Sequence, residues 1–206
     1  MVEEIRIYVE GGGDGKNTKT PVRKGFSGFF NDLISEARKK HINWSIIACG
    51  PRNTAYTDFI RALNSHPDAF NVLLVDSESP VTSVPWEHLK NQDRWDLHDS
   101  HNEQCHLMVQ MMESWLIADI EALKKFYGHD FNENKIPDNK NVEDISKATI
   151  KVSLRAATSK TQKGRYHKIN HGPKILELVD TQKVKKAAPH CKRMFTLLSE
   201  KIGDAV

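Results

Sequence analysis

Cysteine is scarce: three residues, Cys49, Cys105 and Cys191, odd in number, far apart and without a CxxC pair. That pattern argues against a disulfide framework and leads us to expect a reducing, cytoplasmic setting. Long apolar runs are missing too. No stretch approaches the roughly 18 residues of a membrane span, and the opening MVEEIRIYVE lacks the basic-then-apolar order of a signal peptide, so no membrane partner is expected. There is no internal repeat and no low-complexity tract. What remains is a chain of 206 residues, long enough for a substantial core as one domain with appendages or as two small ones.

Glycine is concentrated in YVEGGGDGKN, Tyr8 to Asn17, yet the phosphate-binding motifs it suggests are absent. A P-loop needs a glycine five residues before its Gly-Lys pair and a Ser or Thr after it; those places hold Glu10 and Asn17. A dinucleotide fingerprint counted from Gly11 meets Lys16 where its third glycine belongs. Glu10 and Asp14 would also repel a polyphosphate, so the stretch reads as an acidic turn.

The net charge of +3 hides an asymmetry. Residues 1–150 carry 17 Lys and Arg against 23 Asp and Glu, whereas residues 151–206 carry 13 against 4. An acidic metal site beside a basic polyanion-binding surface would produce this, and so would a solvated lysine-rich helical tail.

The apolar pattern predicts strands at Ile5–Val9, Trp44–Cys49 and 71–76, with a helix after Pro21 over Phe26 to Ala37 and another around Tyr56 to Leu63. Continuous rather than alternating apolar strands, separated by amphipathic helices, indicate an α/β fold: a Rossmann-like parallel sheet sandwiched by helices. A long polar stretch over 77–105 reads as irregular with one short helical turn, followed by a fourth strand at His106–Gln110 and a helix ending at Gly128. We expect an α/β domain over 1–128, a linker over 129–142 and a basic helical extension over 143–206.

Sites in parallel sheets form beyond the carboxyl ends of the strands. Glu10 with Asp14, Asp76 with Glu78, and Glu113 follow the first, third and fourth strands. Carboxylates gathered on one rim need a cation, and hard oxygen donors favour Mg²⁺ or Mn²⁺ over Zn²⁺. In an extended segment the D-x-E pair Asp76 and Glu78 would face the same side and share one metal. Such an ion neutralises non-bridging phosphate oxygens and activates water, which suits phosphodiester chemistry. Glu113 opens a predicted helix, where an acid is also favoured for purely structural reasons. The histidines and cysteine of HDSHNEQCH (His98, His101, Cys105, His106) invite zinc, but they have no second cysteine pair. In KGRYHKINHGPK, Lys163, Arg165, Lys168 and Lys174 are candidate nucleic-acid contacts, Tyr166 offers a ring for stacking, and Lys168 or His171 can reach a scissile phosphate. An ordinary exposed basic turn would have the same composition.

YVEGGGD, with E-G-x-x-D after the first strand, and LLVDSES after the third resemble the two signature motifs of the Toprim domain. That domain is shared by topoisomerases, bacterial primases and the overcoming-lysogenization-defect nucleases. Together, VEGGGD, LLVDSE and MMESWLIAD are similar to a small stand-alone Toprim-like bacterial family often encoded beside an ABC-type ATPase, a likeness that reaches YHKINHGPKIL and HCKRMF. The resemblance implies that Glu10 is a metal ligand or general acid/base, Asp76 the first acid of the D-x-D pair, and Asp14 an assisting acid. Glu78 stands where the family's second aspartate is usual. The implied activity is a metal-dependent nuclease on DNA or RNA, gated by an ATPase partner in anti-phage defence, with an oligomer compatible. The competing expectations are a non-catalytic adaptor or regulatory subunit of an ATPase complex and an enzyme acting on small phosphates.

Overall fold

The computed structural model describes residues 2–13 and 15–203. Four parallel strands, β1 (Glu4–Glu10), β2 (Asn43–Gly50), β3 (Ala69–Asp76) and β4 (Cys105–Met108), lie in the order β2-β1-β3-β4. Successive side chains of the inner strands enter two different cores. Ile5, Ile7, Val9, Val72 and Leu74 serve one face, and Tyr8, Leu73 and Val75 the other. Burial on both faces is why these strands read as unbroken apolar runs.

The two faces are covered unequally. On one, α3 (Arg52–Ser65) and α4 (Pro85–Asp93) contribute Ala55, Phe59 and Leu89. The other carries α1 (Lys16–Phe29), α2 (Asn31–Lys39), α5 (Glu113–Ile117) and α6 (Ile120–Tyr127), followed by the C-terminal helices α7 (Lys147–Ala157), α8 (Lys168–Leu176), α9 (Thr181–Ala187) and α10 (Pro189–Gly203). This C-terminal helical part shares the core of the sheet. Leu154, Ile175, Cys191 and Leu198 belong to the cluster of Ile5 and Phe29, and the Phe195 ring meets Phe29 edge-on at 5.5 Å. Residues 129–142, expected as a linker, bury Ile136 and Val142 in the same cluster.

Several element boundaries differ from those expected. α1 starts at Lys16 and takes Pro21 inside it: the proline gives up one helical bond and crowds the carbonyl four residues back, and the buried face of Val22, Phe26 and Phe29 offsets that cost. Phe30 then leaves helical geometry and separates α1 from α2. Residues 85–93 form a true helix rather than a single turn, with Pro85 at its first position and Leu89 buried. β4 is shorter than expected and starts at Cys105. The helix expected through Gly128 is broken at Asp119, whose carboxylate accepts from the Asp180 N–H at 2.9 Å and Lys183 Nζ at 2.6 Å.

One close approach fixes α8 over the sheet. A Cβ on Gly25 of α1 would stand 2.5 Å from the Pro173 carbonyl oxygen, so only glycine lets α8 lie this near. The contact brings Lys168, the first residue of α8, to the carboxyl ends of the strands.

Candidate metal centre at the carboxyl rim

β1 and β3 are adjacent and parallel, so their terminal residues Glu10 and Asp76 finish on one rim. Glu78 joins them by a different route from the one expected. It is not in an extended segment: its φ is +66°, a left-handed turn, and its N–H donates to the Gln110 carbonyl at 3.0 Å. The turn still delivers its carboxylate, and one oxygen each from Glu10, Asp76 and Glu78 lies within 4.8 Å of the others. This group can hold a metal ion, and an all-carboxylate donor set suits a hard cation. Asp14 lies outside the described residues.

Each acid is also held by the protein. Asp76, 1% exposed, accepts the Met112 N–H on Oδ1 at 2.7 Å and Lys168 Nζ on Oδ2 at 3.1 Å. Glu10 Oε2 accepts the Asp76 N–H at 3.2 Å and Arg52 Nη1 at 3.3 Å. Glu78 pairs with Lys147. Burial and the Asp76 charge raise the Glu10 carboxyl above its ordinary range, against the pull of Arg52. For Lys168, loss of water alone would lower the ammonium, but the carboxylates of Asp76 and Glu113 outweigh it and hold the ammonium charged.

Glu113 is the fourth acid brought to the rim. It is 2% exposed; Oε1 accepts from the Tyr166 hydroxyl at 2.9 Å, while Oε2 has no hydrogen-bond partner and lies 3.8 Å from Lys168 Nζ. Burial pushes its carboxyl up; Lys168 opposes the shift and Asp76 reinforces it. An orphaned buried oxygen that also feels the Asp76 charge is a place where a proton or a cation is favoured.

Tyr166, expected as a stacking ring, instead spends its hydroxyl on Glu113 and packs its ring against the main core. Of the basic side chains in this stretch, Lys168 joins the rim through Asp76 and Glu113. Lys163, Arg165 and Lys174 are exposed, with Lys163 Nζ 5.4 Å from the Phe126 ring centroid. His171 Nδ1 engages the Tyr127 hydroxyl at 2.9 Å and accepts the His167 N–H at 3.2 Å. Burial and the neighbouring charges of His167, Lys174 and Lys163 lower the His171 imidazolium.

The zinc candidates do not assemble. Cys105 is fully buried with its thiol pushed up to about 12, and His106 is driven down to about 3 by burial and then by Arg193. Among the described residues, the metal-ligating groupings of three or more His, Cys, Asp and Glu come down to Glu10, Asp76 and Glu78.

Arg52 and Lys147 were not singled out from the sequence. Arg52 follows Gly50 and Pro51 at the end of β2, the other neighbour of β1, so the rim argument that found Glu10 would have found it. Its guanidinium grips Asp93 at 2.8 and 2.7 Å, reaches Glu10 and the Asp76 carbonyl, and lies 5.1 Å from the Trp95 ring centroid. Lys147 carries no local signal; the chain between Glu78 and α7 brings it there.

The fold and site thus define an α/β protein with a parallel sheet and an acidic, metal-competent rim. The chain belongs to the family described as Domain of unknown function (DUF4276), whose model matches residues 9–199. No curated protein and no solved structure matches it. No helix among the described residues is long and apolar enough to cross a membrane.

Proposed function

We propose that this chain is a divalent-metal-dependent nuclease that hydrolyses phosphodiester bonds of DNA or RNA, with Mg²⁺ or Mn²⁺ held by Glu10, Asp76 and Glu78. The observation that carries the proposal is the convergence of these three carboxylates within 4.8 Å, beside a lysine and a fourth, deeply buried acid. The ion would supply charge neutralisation at the phosphate and a nucleophilic water at neutral pH. The chain's own residues do the rest. Met112 and Lys168 fix the Asp76 carboxylate, and Lys168, half exposed, can also meet a non-bridging phosphate oxygen. Glu113, favoured toward its neutral form, is suited to hold or deliver a proton. The exposed Lys163, Arg165 and Lys174 can bind backbone phosphates without reading sequence.

The resemblance to ATPase-associated Toprim-like proteins extends the proposal to an ABC-type ATPase partner and an anti-phage role in the cytoplasm. Ion pairs from Arg52, Lys147 and Lys168 close the rim in the free chain, which gives such a partner something to release. The same pairs favour the second reading, a non-catalytic adaptor, because they neutralise the acids without an ion. Incubating the protein with Mg²⁺ or Mn²⁺ and a panel of single-stranded DNA, duplex DNA and RNA separates the two. The nuclease reading expects cleavage that Asp76→Asn and Glu10→Gln, checked for folding, both lose. Cleavage that survives in both variants would contradict it.

A further inference from the structure

Next to the carboxylates lies a cavity of about 300 Å³ whose chemistry a phosphate alone does not explain. Glu10, Asp76 and Lys168 stand at its polar end, while Val22 and Phe26 of α1, Met112, and Leu176 of α8 make apolar walls. Gly11, Gly12 and Gly13 line it with bare backbone. At Gly50, which also borders it, φ is +93° and a Cβ would stand 2.5 Å from the Gly13 carbonyl oxygen. A side chain there would displace the glycine loop that lines the space. Ile169, another lining residue, is 43% exposed, and only Val84 and Val152 join it as exposed large hydrophobics among the described residues. An apolar side chain left in water beside an apolar cavity marks a place where a ligand covers both.

We infer that this cavity receives the base of a nucleotide whose phosphate sits at the Glu10–Asp76–Lys168 end, where the proposed divalent ion would offset the two carboxylates; the inference rests on the proposed phosphodiester chemistry and names its substrate subsite. A nucleotide combines an anion with a planar, largely apolar ring a few bonds away, which is the pairing of polar end and apolar walls found here. A sugar-phosphate without a base would leave the walls wetted, and an aliphatic chain would bring no phosphate to the metal-competent carboxylates. The named walls offer faces rather than side-chain donors and acceptors, so they grip a ring without reading its edge. A base can enter only when it is out of a stack, so single strands and frayed ends are the accepted forms and the interior of a duplex is not. A free nucleotide has the same chemistry.

The test measures binding, apart from turnover. Phosphorothioate-protected single strands carrying one 2-aminopurine are titrated with the full chain in Mg²⁺, alongside the same strand with an abasic site, a duplex, and adenosine monophosphate. The inference expects the abasic strand to bind about tenfold more weakly and 2-aminopurine fluorescence to change on binding. Ile169→Trp, at an exposed position where folding is not at risk, should abolish most of that difference. Equal binding of intact and abasic strands, with cleavage of unprotected strands still lost in Asp76→Asn, would overturn the base pocket and leave the nuclease reading standing. Binding of adenosine monophosphate with no binding of any strand would keep the pocket, make a free nucleotide its source and overturn the nuclease reading. Binding of none of them would overturn both.

Discussion

The carboxyl rim and the basic stretch from Lys163 to Lys174 carry opposite charge and are built in opposite ways. The rim gathers residues far apart in sequence: Glu10 from β1, Arg52 after β2, Asp76 from β3, Glu113 at the start of α5 and Lys168 from α8. Each acid there has a cation or a backbone donor in contact, and two of them, Asp76 and Glu113, are almost fully buried. The basic stretch comes from a single run of chain, and Lys163, Arg165 and Lys174 face water. Position in the rim is dictated by sheet topology and enforced by a packed core, whereas in the basic stretch it is dictated by local sequence and left open. Chemistry that needs fixed geometry belongs to the first, and electrostatic attraction that tolerates motion belongs to the second. Lys168 is the charged residue they share.

Substitutions should respect that division. Removing the rim's central ligand has the largest effect: Asp76→Asn should lower metal-dependent cleavage by more than about 100-fold in a single-turnover assay, since even residues that only support a ligand cost about 10- to 100-fold. Lys168→Met should lower cleavage by about tenfold or more, yet tighten Mn²⁺ binding, because a cation that competes for Asp76 and Glu113 is gone; calorimetric titration beside the rate measurement reveals the split. Arg52→Ala should cost about 2–3 kcal/mol in urea unfolding, since a half-buried guanidinium leaves Asp93 and Glu10 without their charged donor.

Acidity sharpens the comparison within the rim. The carboxyls of Glu10 and Glu113 are raised in the folded protein, so the native state holds protons that the unfolded chain has already released. Their ionisation therefore penalises folding. The penalty is absent below the unfolded glutamate value of about 4.3, develops as pH rises through the folded values and is complete above them. Buried His106, driven down to about 3, pulls the other way on acidification, so the contribution of the rim is read as a difference: in metal-free protein Glu113→Gln should lose stability less than the parent as pH rises, in urea titrations run at several pH values. The smallest effect belongs to the basic stretch. Lys163→Ala or Lys174→Ala should weaken nucleic-acid binding by only a few fold and reduce the salt slope by about one each, without changing the cleavage rate of bound substrate.

The parts of this arrangement that were legible in the sequence are those written in local patterns. Ile5–Val9 and the run ending at Asp76 announce buried strands, and parallel connectivity alone puts Glu10 and Asp76 on one rim. What was illegible depends on partners distant in sequence. The end of α5 is settled by Asp119 binding Asp180 and Lys183, some sixty residues on, so no periodicity could reveal it. Tyr166 reads as an exposed aromatic within a basic run until Glu113 is seen to take its hydroxyl. The cavity beside the rim requires α1 and α8 to touch through Gly25, a contact between segments nearly 150 residues apart. Glu78 is an instructive case: its carboxylate joins the other two, but through a left-handed turn rather than the strand alternation that the D-x-E spacing suggests.

The central claim is that Glu10, Asp76 and Glu78 form a binding site for one divalent cation. Electron paramagnetic resonance of Mn²⁺ titrated into the protein measures this directly, because free and bound ion are counted separately. The account predicts one ion bound per chain and its loss in a folded Asp76→Asn variant. No bound ion, or binding that persists unchanged in that variant, would contradict it.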